Sequence, residues 1–248
     1  MGFAFPRLSR PEIMPTQIEL TGRSVPLAIK ENPRAKRLTM RVQPGARGVS
    51  VTVPPGTRVA AIMQFIDRHT GWLEDQIAKQ PDQPKVREGI KLPIRGVNHR
   101  IVHEAGRGLT QIRSGSDGPE LLVRGDRRFL ARRVADFLKN EAKRDIDVLV
   151  AHHASKVGRR VKTVRYRDTT SRWGSCTSEG ALSFSWRIMM APPSVINYLV
   201  AHECAHLREM NHGPKFWALC EELCPDTKRA KSWLKRNGSK LQAIDFTS

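Results

Sequence analysis

The sequence predicts an α+β fold in two lobes: a β-rich lobe with one helix over residues 1–125, and a lobe over residues 126–248 in which a small sheet flanks a helix bearing an HExxH pattern. Three observations carry that expectation. Short β-branched segments separated by Gly and Pro turns fill the first half. Amphipathic stretches with apolar residues at helical spacing dominate the second. An alternating segment, Ala181 to Met190, then leads into an apolar stretch that ends in two histidines four residues apart. With 248 residues the chain is long enough for a substantial core.

Taken in order, the first strands are expected at Gln17–Leu20, Val25–Ile29, Leu38–Val42 and Val49–Val53. Thr57 opens one helix whose buried stripe is Val59, Ile62, Met63, Phe65, Ile66, Trp72, Leu73 and Ile77, and Pro81 to Pro84 end it. Strands return at Lys91–Ile94, Arg100–His103, Thr110–Arg113 and Leu121–Val123, around a Gly-rich stretch from Gly106 to Gly118. Asp126 caps a long helix running to about Lys156, near whose end His152 and His153 read as surface or packing residues. Thr163–Tyr166 is a further strand, and Gly174 and its neighbours read as a tight turn. Along Ala181 to Met190, Leu182, Phe184, Trp186 and Ile188 share one face while Ser183, Ser185 and Arg187 share the other. That strand would border a cleft and hydrogen-bond an extended substrate. Ser194 caps the helix that follows, Pro214 to Leu223 forms another, and Asp226 caps a short basic helix. No internal repeat is evident.

The chemistry concentrates in His202-Glu203-Cys204-Ala205-His206. On a helix, residues four apart lie one above the other, so both imidazoles reach one metal ion. Glu203 sits roughly 100° around the helix, beside the metal rather than on it, where a carboxylate can take a proton from water. His212 is the natural third ligand, because three protein ligands plus water make an open, catalytic zinc site. Asn211 tolerates a left-handed conformation and would end the helix, turning the chain so that His212 faces the metal. The rival third ligands are Glu221 and Glu222 on the next helix, which otherwise read as a solvated acidic face. Imidazoles suit Zn2+, with nickel or cobalt as substitutes. Ser175 and Cys176 have no paired base at a local spacing, so covalent catalysis is not favoured.

A net charge of +19 and a pI near 10.6 give a field that attracts polyanions. The cations are scattered, in Arg34-Ala35-Lys36-Arg37, Arg124 to Arg133, Arg159-Arg160 and Lys228 to Lys240, without the aromatic spacing of an RNA-binding sheet. A generally basic solvated surface is the plain alternative. The four cysteines fall in the last third and read as reduced thiols. No apolar run reaches membrane-spanning length and the start lacks a signal-peptide core, so a cytoplasmic location and no membrane partner are expected.

Arg172-Trp173-Gly174-Ser175-Cys176, the stretch Ala191 to Tyr198, the His202 to Leu207 segment, Asn211-His212 and Phe216-Trp217 together resemble the YgjP-like metal-dependent hydrolases. That family is related to SprT-type and other zincin metallopeptidases. The resemblance covers most of the chain, including Pro33 to Leu38, the helix Phe65 to Trp72 and Pro225 to Leu234. It departs at Gly213, where relatives more often carry serine. It implies a zincin-like lobe over residues 126–248, with His202, His206 and His212 as metal ligands and Glu203 as the catalytic residue. The implied activity is a metallopeptidase-like hydrolysis of unfolded or loop polypeptide. The family is also described as including a UTP pyrophosphatase, which makes a nucleoside triphosphate the alternative substrate. Arg172 and Arg187 are then candidate substrate-binding cations, with Arg208 and Lys215 nearby in sequence. A third reading is a basic nucleic-acid or ribosome-associated protein with a non-catalytic zinc. Three histidines and a free glutamate speak against it, since structural zinc is normally closed by four protein ligands.

Overall fold

A computed structural model of the chain describes residues 14–20, 22–43, 48–78, 84–169 and 172–247. The described residues form a mixed α+β protein with three sheets and six α-helices, in two compact units, Met1–Pro81 and Asp82–Ser248. None of the described helices is long and apolar enough to cross a membrane.

In the first unit β1 (Gln17–Leu20), β2 (Arg23–Glu31), β3 (Thr39–Val42) and β4 (Val49–Val53) lie in the order β1-β2-β4-β3. The central pair is parallel and both flanking pairs are antiparallel. Strict alternation buries Val49, Val51 and Val53 against Ile62, Ile66 and Leu73. The single helix expected here is two, α1 (Val59–Arg68) and α2 (Thr70–Ala78). At His69 the amide bonds back to Ile66 O, while its ring Nδ1 takes the Phe65 carbonyl at 2.7 Å, so the helical ladder is interrupted. Trp72, expected in the buried stripe, is 44% exposed. Of the expected Pro81–Pro84 stop, Pro81, Asp82 and Gln83 lie outside the described residues.

The second unit opens with β5 (Lys91–Ile94), β6 (Val97–Glu104), β7 (Gln111–Gly115) and β8 (Gly118–Arg124), ordered β5-β6-β8-β7. Again the central pair is parallel and the flanks antiparallel. Both sheets thus share one strand order and one set of directions, and each is followed by helix. This is a topological repeat that the sequence, read for repeated side chains, did not reveal. Asp126 accepts the Arg128 amide at 2.9 Å and starts a 3-10 turn that runs into α3 (Leu130–Val157), which ends on Gly158 at φ 67. Leu92, Ile94, Ile101, Leu121 and Val123 share one core with Val134, Leu138 and Ile146 of α3 and with the elements beyond it. The packing units part at Pro81/Asp82, which puts β5 to β8 in the same unit as α3, the helix at whose start the sequence divides the chain into lobes.

The β5–β6 hairpin turns on Arg95 and Gly96, both with positive φ (49 and 80). Its Arg95 guanidinium bonds Glu141 and Asp145 of α3 at 2.7 and 2.6 Å. A Cβ at Gly96 would come within 3.1 Å of Pro192, so this tip lies against the start of the next helix, α4 (Pro193–Ala205). Pro193, not Ser194, makes that start: it occupies the first turn, where a missing N–H costs nothing, and no side chain caps it.

A second, three-stranded sheet of this unit has the order β10-β11-β9, from β9 (Thr163–Arg167), β10 (Gly174–Cys176) and β11 (Ala181–Ser185). The strand expected from Ala181 to Met190 stops at Ser185; Trp186–Met190 is a 3-10 turn with all five side chains buried. Two-sided burial removes the reason to alternate. β11 also has a strand on each side, so it cannot pair with a substrate as expected; β10 is the edge strand packed next to α4. α5 (Pro214–Leu223) and α6 (Thr227–Ala243) complete the unit, α6 being much longer than the short helix anticipated.

Candidate metal centre

α4 is apolar nearly all round and buried from Val195 to Ala205 except at the half-buried Asn197 and His202, the signature of a helix enclosed by other elements. His202 lies in its last turn and His206 just past it, still with helical dihedrals. Their ring centroids are 5.0 Å apart. The helix ends at Ala205, earlier than the expected stop at Asn211, and Asn211 does not take a positive φ. Tight bonds do the turning instead. Leu207 N bonds Cys204 O at 3.0 Å, Arg208 N bonds Ala205 O at 3.1 Å, and Gly213 N bonds Asn211 O at 2.7 Å. The chain so returns with His212 Nε2 at 3.1 Å from His202 Nε2.

A ligand-capable nitrogen from each of His202, His206 and His212 lies within 4.8 Å of the others. Two nitrogens each about 2.0–2.1 Å from a tetrahedral zinc would be roughly 3.3 Å apart, close to the His202–His212 spacing. His206 Nδ1 sits 3.0 Å from the Glu209 carbonyl. A carbonyl only accepts, so Nδ1 carries the proton and Nε2 is left bare for a cation. Burial holds His202 down to about 3 and lowers His206 as well, which keeps both in the neutral, ligating form. His202 Nδ1 is buried with no partner among the described residues. The donor set and its spacing fit a divalent zinc-like cation. Glu221 and Glu222 stay exposed on α5 outside the cluster, and Glu221 pairs with Lys228.

α5 presses aromatic rings onto these imidazoles. Phe216, fully buried, lies 4.9, 4.4 and 4.7 Å from the rings of His202, His206 and His212. Trp217 stacks on His212 (5.6 Å, 22°) and donates its Nε1–H to the His212 carbonyl at 3.1 Å. Lys231 of α6 stands 3.8 Å over the Trp217 ring. In the sequence these two aromatics registered only as part of the family resemblance. Their position one helical turn beyond His212 was the available signal.

Glu203 is 5% exposed, and burial pushes its carboxyl up to about 7 against the opposing pull of Arg172. A Cβ on Gly174 would lie 2.5 Å from Glu203 Oε1. Gly174 is therefore the point where β10 passes the carboxylate, not a turn residue. Burial raises the neighbouring Cys176 thiol to about 11, so it is no thiolate nucleophile at neutral pH. Arg187, expected to contact substrate, is 1% exposed. Its guanidinium bonds Asp168 at 2.5 and 3.1 Å and the Ile244 carbonyl at 2.7 Å, fixing the C-terminal segment instead. Arg172 is exposed beside Glu203, while Arg208 and Lys215 lie on the surface. His153 is buried and bonds Asn197 Oδ1 at 2.8 Å, a packing role.

The family model described as YgjP-like, metallopeptidase domain matches residues 36–237. Among solved structures the chain is similar to the crystal structure of the metallopeptidase zymogen of Pyrococcus abyssi abylysin, at 24% identity over 40% of this chain and 98% of that one, with a TM-score of 0.35. No curated protein matches the chain.

Proposed function

The chain belongs to the YgjP-like metallopeptidase-domain family, and from that premise we propose that it is a zinc-dependent hydrolase of polypeptides. His202, His206 and His212 hold the metal, Glu203 is the general base, and residues 126–248 form the zincin-like catalytic part. The observation that carries this reading is the gathering of three imidazole nitrogens within 4.8 Å on and just beyond the helix that bears the buried Glu203. When bound, zinc supplies a Lewis acid that polarises a carbonyl and acidifies water.

The chain's own groups do the rest. Glu203, with its carboxyl near 7, takes the proton of the attacking water and returns it to the leaving amine, a transfer that works best when the base is matched to ambient pH. The Glu209 carbonyl fixes the His206 tautomer, and Phe216 with Trp217 limits how far the imidazoles can rotate. An extended polypeptide lies along the outer edge of β10, where no described strand pairs, and gains main-chain hydrogen bonds there.

The test compares the zinc-loaded protein with Glu203→Gln and with a His202→Ala, His206→Ala double variant, each offered an unfolded protein and, separately, UTP. Cleavage of the polypeptide by the unmodified protein alone, with zinc lost only from the double variant, is the expected result. Release of pyrophosphate from UTP with the polypeptide left whole would overturn the reading, as would equal zinc in all three proteins.

A further inference from the structure

The three-stranded sheet carries, on the face turned away from its core, a cavity of about 400 Å³ whose wall includes Arg165, Arg167, Arg172, Ser175, Thr177 and Ser183. The register explains how they meet. Ser175 is opposite Ser183, and Ser183 is opposite Arg165, so the three form one row across β10, β11 and β9. Leu182 and Phe184 alternate with that row and go into the core. None of the three guanidiniums forms an ion pair with a described residue, and the adjacent carboxylate, Asp168, is taken by Arg187. The sheet β5–β8 handles its arginines differently: Arg100, Arg113 and Arg124 are each closed on Glu104 or Glu120. Gly174 belongs both to the cavity wall and to the contact with Glu203, which places the cavity beside the metal centre.

Among the described residues Arg165 and Arg167 have no carboxylate partner and Arg172 faces only the buried Glu203, so the three guanidiniums remain open to a bound oxyanion that accepts paired N–H bonds from a rigid fork. Serine and threonine hydroxyls can complete such a site. We propose that this cavity is a substrate subsite that takes carboxylate side chains of the polypeptide, an inference that rests on the peptidase reading above. A substrate strand beside β10 continues the sheet, so every second side chain stands on the face of Ser175 and Ser183 and meets Arg172 first, while Arg165 and Arg167, on β9, form the far wall of the cavity two strands across. The enzyme thereby selects unfolded segments with acidic residues at alternate positions.

Binding to the zinc-loaded Glu203→Gln protein tests this without turnover. Two labelled unfolded peptides, identical except for Glu or Gln at every second position, are compared by fluorescence anisotropy at constant ionic strength. The Glu peptide is expected to bind at least about tenfold tighter, the effect of one net charge-assisted hydrogen bond. Adding Arg172→Glu, on the exposed side chain nearest β10, should reverse the preference toward a Lys version of the peptide, with thermal unfolding serving as the fold check. Equal affinity for the Glu and Gln peptides overturns the proposal, as does a preference that survives charge reversal. Inorganic triphosphate that displaces the Glu peptide supports an oxyanion site; arginine-dependent binding of triphosphate with no binding of either peptide overturns the peptide assignment. Selectivity without cleavage by the unmodified protein would sink the hydrolase reading and leave the subsite standing. Cleavage without selectivity would do the reverse.

Discussion

Glu203 is surrounded by protein on almost every side, and burial, only partly offset by Arg172, moves its carboxyl from the ordinary carboxylate range to about 7. A base so placed still ionises near neutral pH yet holds a proton strongly enough to relay it. Replacing Glu203 with Gln keeps size and burial but removes that capacity. We expect unchanged zinc content and melting temperature with hydrolysis reduced by about 10²-fold or more; an active variant would remove Glu203 from the mechanism. Gly174 gives a second prediction at this scale. The added methyl of Gly174→Ala would sit 2.5 Å from Oε1, so either the carboxylate or β10 must shift. A displacement on the order of 1 Å at a reacting group costs about 10²-fold in rate. Measured kcat should fall by at least about tenfold with zinc binding intact, and full activity would show that the contact is slack. The spacing of His202, Glu203, His206 and His212 was readable in the chain because a helix dictates which residues share a face. Gly174 was not, since nothing local to Trp173-Gly174-Ser175 says which side chain of a distant helix will pass it. Arg187 escaped for a related reason: alternation put it on the face of Ser183 and Ser185, open to a substrate, but the strand ends before it.

Among the elements, α5 is the one that turns three imidazoles into an ordered set. Trp217 both stacks on His212 and bonds its carbonyl at 3.1 Å. Trp217→Phe keeps an aromatic face and deletes the donor. Loss of such a supporting contact typically weakens metal binding by 10–100-fold, to be read by competition with a chelator, while the metal-free protein should melt within a few degrees of the original. Unchanged zinc affinity would reduce Trp217 to packing. The contact between α3 and α4 supplies a pH prediction. His153 is buried, its Nε2–H donates to Asn197 Oδ1, and its Nδ1 has no partner among the described residues, so the fold holds the ring neutral and its pKa is lowered. The unfolded chain titrates near 6.5. It therefore binds more protons than the native state once pH drops below that value, and stability falls as pH falls from about 6.5 toward the lowered native pKa. In metal-free protein, His153→Gln should make the loss of unfolding free energy between about pH 7 and pH 5.5 shallower; identical slopes would assign the acid sensitivity elsewhere. Helix existence was legible here from apolar spacing, whereas helix ends were not. Those ends depend on bonds such as His69 Nδ1 to Phe65 O and Leu207 N to Cys204 O, which tertiary packing selects.

For the molecule as a whole, the sequence conveyed a β-rich start and a helical end but not how the strands divide. A shared strand order leaves no repeated side chains, so the likeness of β1-β2-β4-β3 to β5-β6-β8-β7 is invisible in a sequence read for similarity. What separates the two sheets is their cores. One cluster holds Val49, Val51, Val53, Ile62, Ile66 and Leu73; the other holds the residues of β5, β6, β8, α3 and α4, and the two have no member in common. All of His202, Glu203, His206, His212 and Gly174 belong to the second unit, Asp82–Ser248. A fragment spanning that unit is large enough for one apolar core to stabilise it, whereas the first unit, Met1–Pro81, is near the size at which a single core supplies only a few kcal/mol. Two consequences follow for unfolding by denaturant. The full chain should show two transitions, the earlier from the first unit, and the Asp82–Ser248 fragment should reproduce the later one. Zinc binds only native ligand geometry, so at a free concentration one hundred times its Kd it should stabilise the later transition by about 2.7 kcal/mol and leave the earlier one in place. A single transition that moves as a whole with zinc, together with a fragment that fails to fold, would mean that the two cores depend on one another and that the catalytic part begins well before residue 82.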